Sequence, residues 1–150
     1  MKYLRHIVLI PFILFCGSCK TTGGRWSDGL SGYAEKHSGS LSVEILRTAS
    51  GGDTAFVNYR VRIRPSTKNI GTTGAAYNFY YGMDSCFSLR SGHKDLAPAF
   101  VQAVPDGIKG CFEYLVSFEV AAPSKLRPLA LVYRDRFIDQ KSYILSLNKQ

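Results

Sequence analysis

Two stretches of this chain alternate apolar and polar residues so regularly that they predict an extended backbone. In "AFVNYRVRIRP", residues 55–65, an apolar set alternates with a polar set. A period of two residues is typical of a strand that buries one face, and Pro65 ends the pattern. The apolar set is Val57, Tyr59, Val61 and Ile63, and the polar set is Asn58, Arg60, Arg62 and Arg64.

The stretch "FEYLVSFEV", residues 112–120, repeats this pattern, with Glu113, Ser117 and Glu119 on the polar side. "LALVY" and "SYILSL" predict two more strands, and residues 42–47, 76–81, 86–90 and 100–104 are weaker candidates. Turn signals such as "SGGD", "RSGHKD" and "PDGIKG" separate them. Seven or eight evenly spaced strands without an amphipathic helix predict a single all-β domain, an antiparallel β-sandwich, over residues 41–150.

The N-terminus has the organisation of an export signal. Lys2, Arg5 and His6 are followed by nine uncharged residues, 7–15. A membrane-spanning helix needs about 20 apolar residues, so this run has instead the length of a signal-peptide core. We therefore expect residues 1–18 to be a signal peptide.

The end of that segment resembles the signal of bacterial lipoproteins. Cys16-Gly17-Ser18-Cys19 fits the family pattern at its last three positions and departs from it at Cys16, where Leu is usual. The resemblance implies cleavage before Cys19, with diacylglycerol on its sulfur and an acyl group on the new amino terminus. Because Lys20 replaces the Asp of inner-membrane retention, the expected location is the outer membrane, facing the periplasm. The alternative is an ordinary secretory signal in which Cys19 is incidental.

Residues 19–40 are rich in Gly and Ser and show no sustained period. They predict a flexible, lipidated tether between membrane and domain. Trp26, Leu30 and Tyr33 are its large apolar side chains. We expect them to dock on the domain, and the alternative is that they lie at the membrane interface.

The order of the later segments is similar to a known domain family. "FSL", a Pro-Asp-Gly segment, a strand ending in "VSFEV", a proline turn and "LALVY" resemble the telokin-like, immunoglobulin-type domain of many bacterial lipoproteins. The likeness covers residues 54–147. It implies an immunoglobulin-like sandwich and carries no catalytic residues, so it concerns fold more than function.

Two cysteines, Cys86 and Cys111, lie inside the predicted domain. In an exported protein such a pair can form a disulfide, and each precedes a Phe at a predicted strand start. We predict a bridge between them, with two separate buried thiols as the alternative. Neither has a His or acidic residue at zinc-ligand spacing, so no metal site is expected.

Motifs of catalysis are missing from the sequence. "SGHK", Ser91 to Lys94, matches the S-x-x-K of penicillin-recognising enzymes, but it lies in a predicted turn and lacks the partner motifs. Asp135 and Asp139 are crowded by basic residues, which disfavours a calcium loop. There is no phosphate-binding or dinucleotide-binding glycine motif. We expect no enzyme, no cofactor and, despite a net charge of +8, no nucleic-acid partner, because the basic residues are scattered.

Two features suggest an interaction surface: an aromatic cluster in "YNFYYGMD" and the arginine row of residues 55–65. Tyr suits interfaces because an apolar ring ends in a hydroxyl, and the arginines could meet an acidic partner. The alternatives are that one face of the aromatic run packs in the core with one ring exposed, and that the arginines form a solvated sheet face. We expect a non-enzymatic protein-interaction module, such as a component of an envelope-spanning type VI secretion system. A small-ligand or glycan-binding lipoprotein is the alternative, and a hydrolase is a third hypothesis. The candidate interface residues are Tyr77, Phe79, Tyr80, Tyr81, Arg60, Arg62 and Arg64.

Overall fold

The two alternating stretches form neighbouring strands. In the computed structural model, which describes residues 32–48, 55–66, 73–120 and 129–147, β3 (Phe56–Pro65) pairs antiparallel with β7 (Phe112–Glu119). The register places Val61 opposite Tyr114 and Arg62 opposite Glu113. Apolar residues therefore share one face of the sheet and charged residues share the other, as the alternation predicts.

The described elements are nine strands, one α-helix and a short 3₁₀ helix at Asp84–Cys86. The helix α1 spans Thr73–Tyr81. The other strands are β1 (Tyr33–His37), β2 (Leu41–Thr48), β4 (Phe87–Ser91), β5 (Lys94–Leu96), β6 (Phe100–Val104), β8 (Leu129–Arg134) and β9 (Ser142–Ser146).

These strands form two antiparallel sheets, so the all-β sandwich is confirmed. The first sheet has the order β1-β2-β3-β7-β6, and the second has the order β5-β4-β8-β9. The chain crosses from the first sheet to the second after β3 and again after β7, and it returns between β5 and β6. Every described strand pair is antiparallel.

The core lies between the inner faces of the two sheets and is rich in aromatic rings. Tyr59, Tyr114 and Tyr133 are almost completely buried. The Tyr133 hydroxyl donates to Asp135 Oδ1 at 2.9 Å, and the Tyr114 hydroxyl donates to the carbonyl of Phe79. These bonds offset the cost of burying two of the three hydroxyls, because an unpaired polar group in a core is costly. The Tyr59 hydroxyl has no hydrogen-bond partner in the described part of the chain.

One side of the sandwich is closed by hydrogen bonds between β1 and the β8–β9 hairpin. The Ser38 hydroxyl donates to Asp139 Oδ2 at 2.9 Å and lies 2.7 Å from the Tyr143 hydroxyl. Tyr143 also donates to Asp139, at 2.6 Å. Within the hairpin, Asp135 Oδ2 accepts three backbone N–H groups, those of residues 138–140. The opposite side, at β6, has no comparable closure among the described residues.

The predicted strand at residues 76–81 is wrong, because this segment is the end of helix α1. A short aromatic run fits either structure on pattern alone. In the helix, residues 77 and 81 lie one turn apart and their rings pack, with centroids at 4.6 Å. Tertiary contacts of Phe79, described below, stabilise this arrangement.

The tether boundary at residue 40 also needs correction. Residues 33–37, assigned to the tether, form β1 and pair with β2 along their whole length. The short strand β5 was likewise missed, since three residues are too few to show a period. Trp26 and Leu30 lie outside the described residues, whereas Tyr33 is half-buried at the start of β1.

Among the described residues, no helix has the length and apolar character needed to cross a membrane.

Candidate functional site

Three exposed tyrosines on α1 form the most prominent apolar patch of the described surface. Tyr77, Tyr80 and Tyr81 are 62%, 61% and 73% exposed. We call them the tyrosine surface. Exposed large apolar groups that lie together mark interaction sites more often than isolated ones do. The structure thus brings together three of the four aromatic residues that the sequence indicated.

The fourth, Phe79, is a core residue and not part of the interface, which corrects its prediction. It is 1% exposed, and its ring stacks on Phe112 with centroids 4.5 Å apart. Its edge meets Phe137 at 5.6 Å. These contacts anchor α1 across the end of the sandwich, so the neighbouring tyrosines point outward from a fixed support.

Two grooves flank Tyr80, whose ring packs edge-on against Phe112 at 5.7 Å. The loop groove, of about 380 Å³, lies between α1 and the β6–β7 connection. The edge groove, of about 280 Å³, lies between Tyr80, Tyr81 and the inner face of β6. Sequence reasoning missed both, because their walls come from segments that are distant in the chain.

The β6–β7 connection has a defined shape that forms the loop groove. Gly107 and Gly110 have φ values of 71° and 75°, a region that side chains rarely adopt. Asp106 Oδ1 accepts the N–H of Ile108 at 2.9 Å. Burial opposes ionisation of Asp106, but hydrogen bonds from Cys111 and Ile108 outweigh it and lower the pKa of the carboxyl. The "PDGIKG" turn signal was the available hint of this loop.

The arginine row forms an ion-pair ladder and not a free binding face. Arg62 donates to Glu113 Oε2 through Nε at 3.2 Å and Nη2 at 2.9 Å, and it lies 3.8 Å from Glu44. Arg60 pairs with Glu113 and Arg64 pairs with Glu44. Both glutamate side chains are 0% exposed and that of Arg62 is 7% exposed. The charges of the row are therefore already paired within the domain, and Arg62 is too buried to contact a partner. Arg60 and Arg64 are 43% and 31% exposed, and their place in an interface stays a prediction.

A second outer-face bridge crosses the other sheet. Asp95 on β5 accepts from Arg90 Nε at 2.8 Å and from Arg134 Nη2 at 2.7 Å. Since β4 lies between β5 and β8, Arg134 reaches Asp95 across that strand. These groups are exposed, with side-chain values of 30–46%. The hydrogen bond from Arg90 is the main cause that lowers the pKa of Asp95.

Cys86 and Cys111 are both buried free thiols, so the predicted disulfide is not formed. Cys86 lies in the core and its thiol faces the carbonyl of Gly82 at 3.5 Å. Cys111 lies beside Asp106 near the arginines of the outer face. Burial, then Asp106, raises the pKa of Cys111 to about 12, and burial also raises the pKa of Cys86. Reactive thiols have lowered pKa values, so neither cysteine has the environment of a nucleophile.

The remaining candidates for chemistry are dispersed. Ser91 ends β4 and Lys94 begins β5, so "SGHK" forms a hairpin and not a helix start. Asp135 and Asp139 accept hydrogen bonds from backbone N–H groups and tyrosine hydroxyls of their own hairpin, and Asp139 also accepts from the Ser38 hydroxyl. Across the described ranges, no group of three or more His, Cys, Asp or Glu side chains is placed to hold a metal ion. The predicted lipidation site, Cys19, lies outside the described residues.

Comparisons with known proteins add no relative from which a function could be transferred, so the proposal below rests on the tyrosine surface and the two grooves. No family model matches the chain, and neither a curated protein nor a solved structure is significantly similar to it.

Proposed function

We propose that this chain is a lipid-anchored outer-membrane lipoprotein, facing the periplasm, whose sandwich domain binds another protein through the tyrosine surface. The observation that carries the proposal is the exposure of Tyr77, Tyr80 and Tyr81 on a helix that Phe79 fixes to the core. Tyr is enriched at protein interfaces, where the ring buries apolar area and the hydroxyl keeps a polar contact.

The anchor rests on the sequence of the first 19 residues. An acyl chain contributes about 0.8 kcal/mol for each buried CH₂, and several chains on one residue give stable attachment. A domain held at the membrane surface meets envelope partners at a raised effective concentration. A component of an envelope-spanning complex, such as a type VI secretion system, would use a module of this plan.

A small ligand is the second candidate, and the loop groove favours it. Its volume of about 380 Å³ lies within the range of small-molecule sites, and a sugar ring could stack on Tyr80. The charged residues in its walls are Asp106, Lys109 and Glu113. Glu113 pairs with the arginine row and Asp106 accepts the N–H of Ile108, so two of the three already have partners within the domain. We therefore rank a protein partner first and a glycan second.

Photo-cross-linking tests the protein partner in cells. Benzoylphenylalanine in place of Tyr81 is expected to give a discrete adduct in intact envelopes. The same group at Ile144, 37% exposed on β9, is the matched control and should give none. Tyr80→Ala in the Tyr81 cross-linker background should abolish the adduct while lowering the melting temperature by only about 2–6 °C through the lost edge-on contact with Phe112. Adducts of equal yield at both positions, or none at Tyr81, would reject the tyrosine surface as the binding site.

The anchor is tested separately by metabolic labelling with palmitate. The parent chain should incorporate label and fractionate with outer membranes, and Cys19→Ala should do neither. Label retained by Cys19→Ala would show that Cys19 is not the lipidated residue.

A further inference from the structure

β6 is the terminal strand of the five-stranded sheet, and its outer edge has no neighbour among the described strands. β7 pairs with one side of β6, and among the described strands none pairs with the other. Its side chains are exposed or half-buried, and Phe100 is 49% exposed. An open edge presents unpaired N–H and C=O groups, which are a template for another chain.

Two of the other three sheet edges carry charged side chains and the third lies beside β1, whereas β6 has neither protection. β1 contains three ionisable residues, Glu35, Lys36 and His37. β5 has only three residues and two of them are charged. β9 lies beside β1, where the Ser38, Asp139 and Tyr143 hydrogen bonds close the sandwich. By contrast β6 reads Phe-Val-Gln-Ala-Val, with no charge and no proline.

We propose that β6 accepts an extended segment of the partner protein as a sixth strand of its sheet. The segment has apolar side chains at alternate positions and a neutral or negative net charge. This inference rests on the proposed function and names how the partner binds. Strand addition obtains its affinity from main-chain hydrogen bonds and its specificity from pockets for alternate side chains.

The edge groove supplies those pockets. Val101 and Ala103 lie opposite Val116 and Tyr114, so they face the inside of the sandwich. Both line the edge groove together with Tyr80, Tyr81, Met83 and the exposed Asp84. Because Asp84 would repel a carboxylate, the side chains that enter the groove are the apolar ones, and acidic side chains of the segment lie on the outer face. In an added strand every second side chain points to that same face, and would therefore enter the groove beneath the tyrosine surface. The intervening side chains would lie next to Phe100 on the outer face.

The positive net charge of the chain favours a different protein as the partner over a second copy of the same chain. The chain that begins at Cys19, without Lys2 and Arg5, has 17 basic against 11 acidic side chains, a formal net charge of +6, so two copies repel each other. An acidic or neutral segment avoids this repulsion.

The exposed area of the tyrosine surface also suits the binding of an extended segment of a partner protein. A Tyr buries about 150–250 Å², so three tyrosines exposed to this degree offer about 400 Å². That is about half of the roughly 800 Å² per partner in a stable interface. A strand lying along β6 and filling the edge groove provides much of the remainder.

A synthetic peptide of the β7 sequence, FEYLVSFE, is a defined probe. It alternates apolar residues, carries two glutamates and no basic side chain, and is the natural antiparallel neighbour of β6. Added to the full chain in detergent micelles, it should slow amide hydrogen exchange of residues 100–104 by about tenfold or more. A peptide of the same composition in scrambled order, without the alternation, should have no such effect. Slowed exchange elsewhere but not at 100–104, or no effect at all, would overturn the inference.

Charge variants of the edge separate strand addition from simple charge attraction. Gln102 is exposed on β6, and both Gln102→Lys and Gln102→Glu should weaken peptide binding about tenfold, because edge charges oppose pairing. Ser142→Lys on the exposed start of β9 is the matched control and should bind as the parent does. Tighter binding by Gln102→Lys together with weaker binding by Gln102→Glu would indicate charge attraction and reject the edge.

The two proposals fail in different ways. If the Tyr81 cross-link persists in Gln102→Lys at parental yield, the partner binds without β6, and only the strand inference is lost. If the peptide protects residues 100–104 but no cross-link forms at Tyr81 in envelopes, β6 accepts strands but the tyrosine surface is not the partner site, and the proposed function is lost.

Discussion

Replacing Arg62 by Met should destabilise the domain severely, although Arg62 lies on the outer face of a sheet. Met keeps an unbranched apolar stem and removes the guanidinium. The change deletes two N–H donors to Glu113 and the ion pair with Glu44. Both glutamates are buried, so they would lose a neutralising charge without gaining access to water.

The magnitude follows from this burial. Removing one partner of a buried ion pair costs about 3–5 kcal/mol, a large part of the roughly 5–15 kcal/mol that holds a domain together. Arg60 still pairs with Glu113 and Arg64 still pairs with Glu44, so we expect the lower end, about 3 kcal/mol. At about 4 °C for each kcal/mol in a domain of this size, the melting temperature should fall by about 12 °C.

Arg90→Met is the matched control. Arg90 also lies on the outer face of a sheet and also binds one carboxylate through two nitrogens, at 2.8 and 3.1 Å to Asp95. The two arginines differ in exposure: the Arg90 side chain is 37% exposed, whereas the Arg62 side chain is 7% exposed. Exposed ion pairs contribute little, so this variant should melt close to the parent. Circular dichroism melts and urea unfolding of the two variants measure the contrast.

A double variant identifies the source of the loss. Adding Glu113→Gln to Arg62→Met removes the carboxylate charge that Arg62 neutralises, so the double variant should lose less than the sum of the single losses. If Arg62→Met melts with the parent, or no lower than Arg90→Met, the ladder is not a structural element and the reasoning is refuted.

Three further predictions concern buried hydroxyls and thiols. Tyr59→Phe should leave the free energy of unfolding unchanged or raise it by about 1 kcal/mol, because the buried hydroxyl has no hydrogen-bond partner in the described part of the chain. Tyr133→Phe should lower the free energy of unfolding by about 1–2 kcal/mol, because it loses the hydrogen bond to Asp135. Equal melting temperatures of the two variants would contradict this pair of expectations. The pKa of Cys111 is about 12 in the folded state against an ordinary value of 9.0. Its contribution to stability is therefore complete below pH 9 and is lost as the pH rises toward 12. In urea titrations, Cys111→Ala should reduce the fall of the unfolding free energy between about pH 9 and pH 10, and an unchanged slope would count against this prediction. Alkylation without a reductant should label Cys86 and Cys111 only after unfolding, and an unlabelled pair in the mass spectrum of the unfolded chain would reveal a disulfide.

Much of the sandwich was readable from local pattern. Alternation over residues 55–65 and 112–120 predicted β3 and β7 and the correct inward faces, because a period of two can bury only one face. Residues 42–47, 86–90 and 100–104 were weaker signals and are strands. The run "YNFYY" was misassigned, because a short aromatic stretch contains no period that separates helix from strand.

The candidate site was less accessible to sequence reasoning. The aromatic run indicated the exposed tyrosines. The burial of Phe79 in the same run depends on its stacking on Phe112, more than 30 positions away in the chain. The grooves join α1 to β6 and to the β6–β7 loop, and no local pattern reports that contact.

The sequence alone determined the long strands β3 and β7, their buried faces and the presence of a positive row on β3, since these depend on neighbours one or two positions apart. Only the tertiary structure decided what that row does. Strand order β2-β3-β7 places Glu44 and Glu113 on either side of Arg62, which converts apparent surface charge into a buried ladder. The same order leaves β6 without a described outer neighbour and places Cys86 and Cys111 in separate environments. Pairing between distant segments is selected by the packing of the whole chain, and this is why local sequence could not supply it.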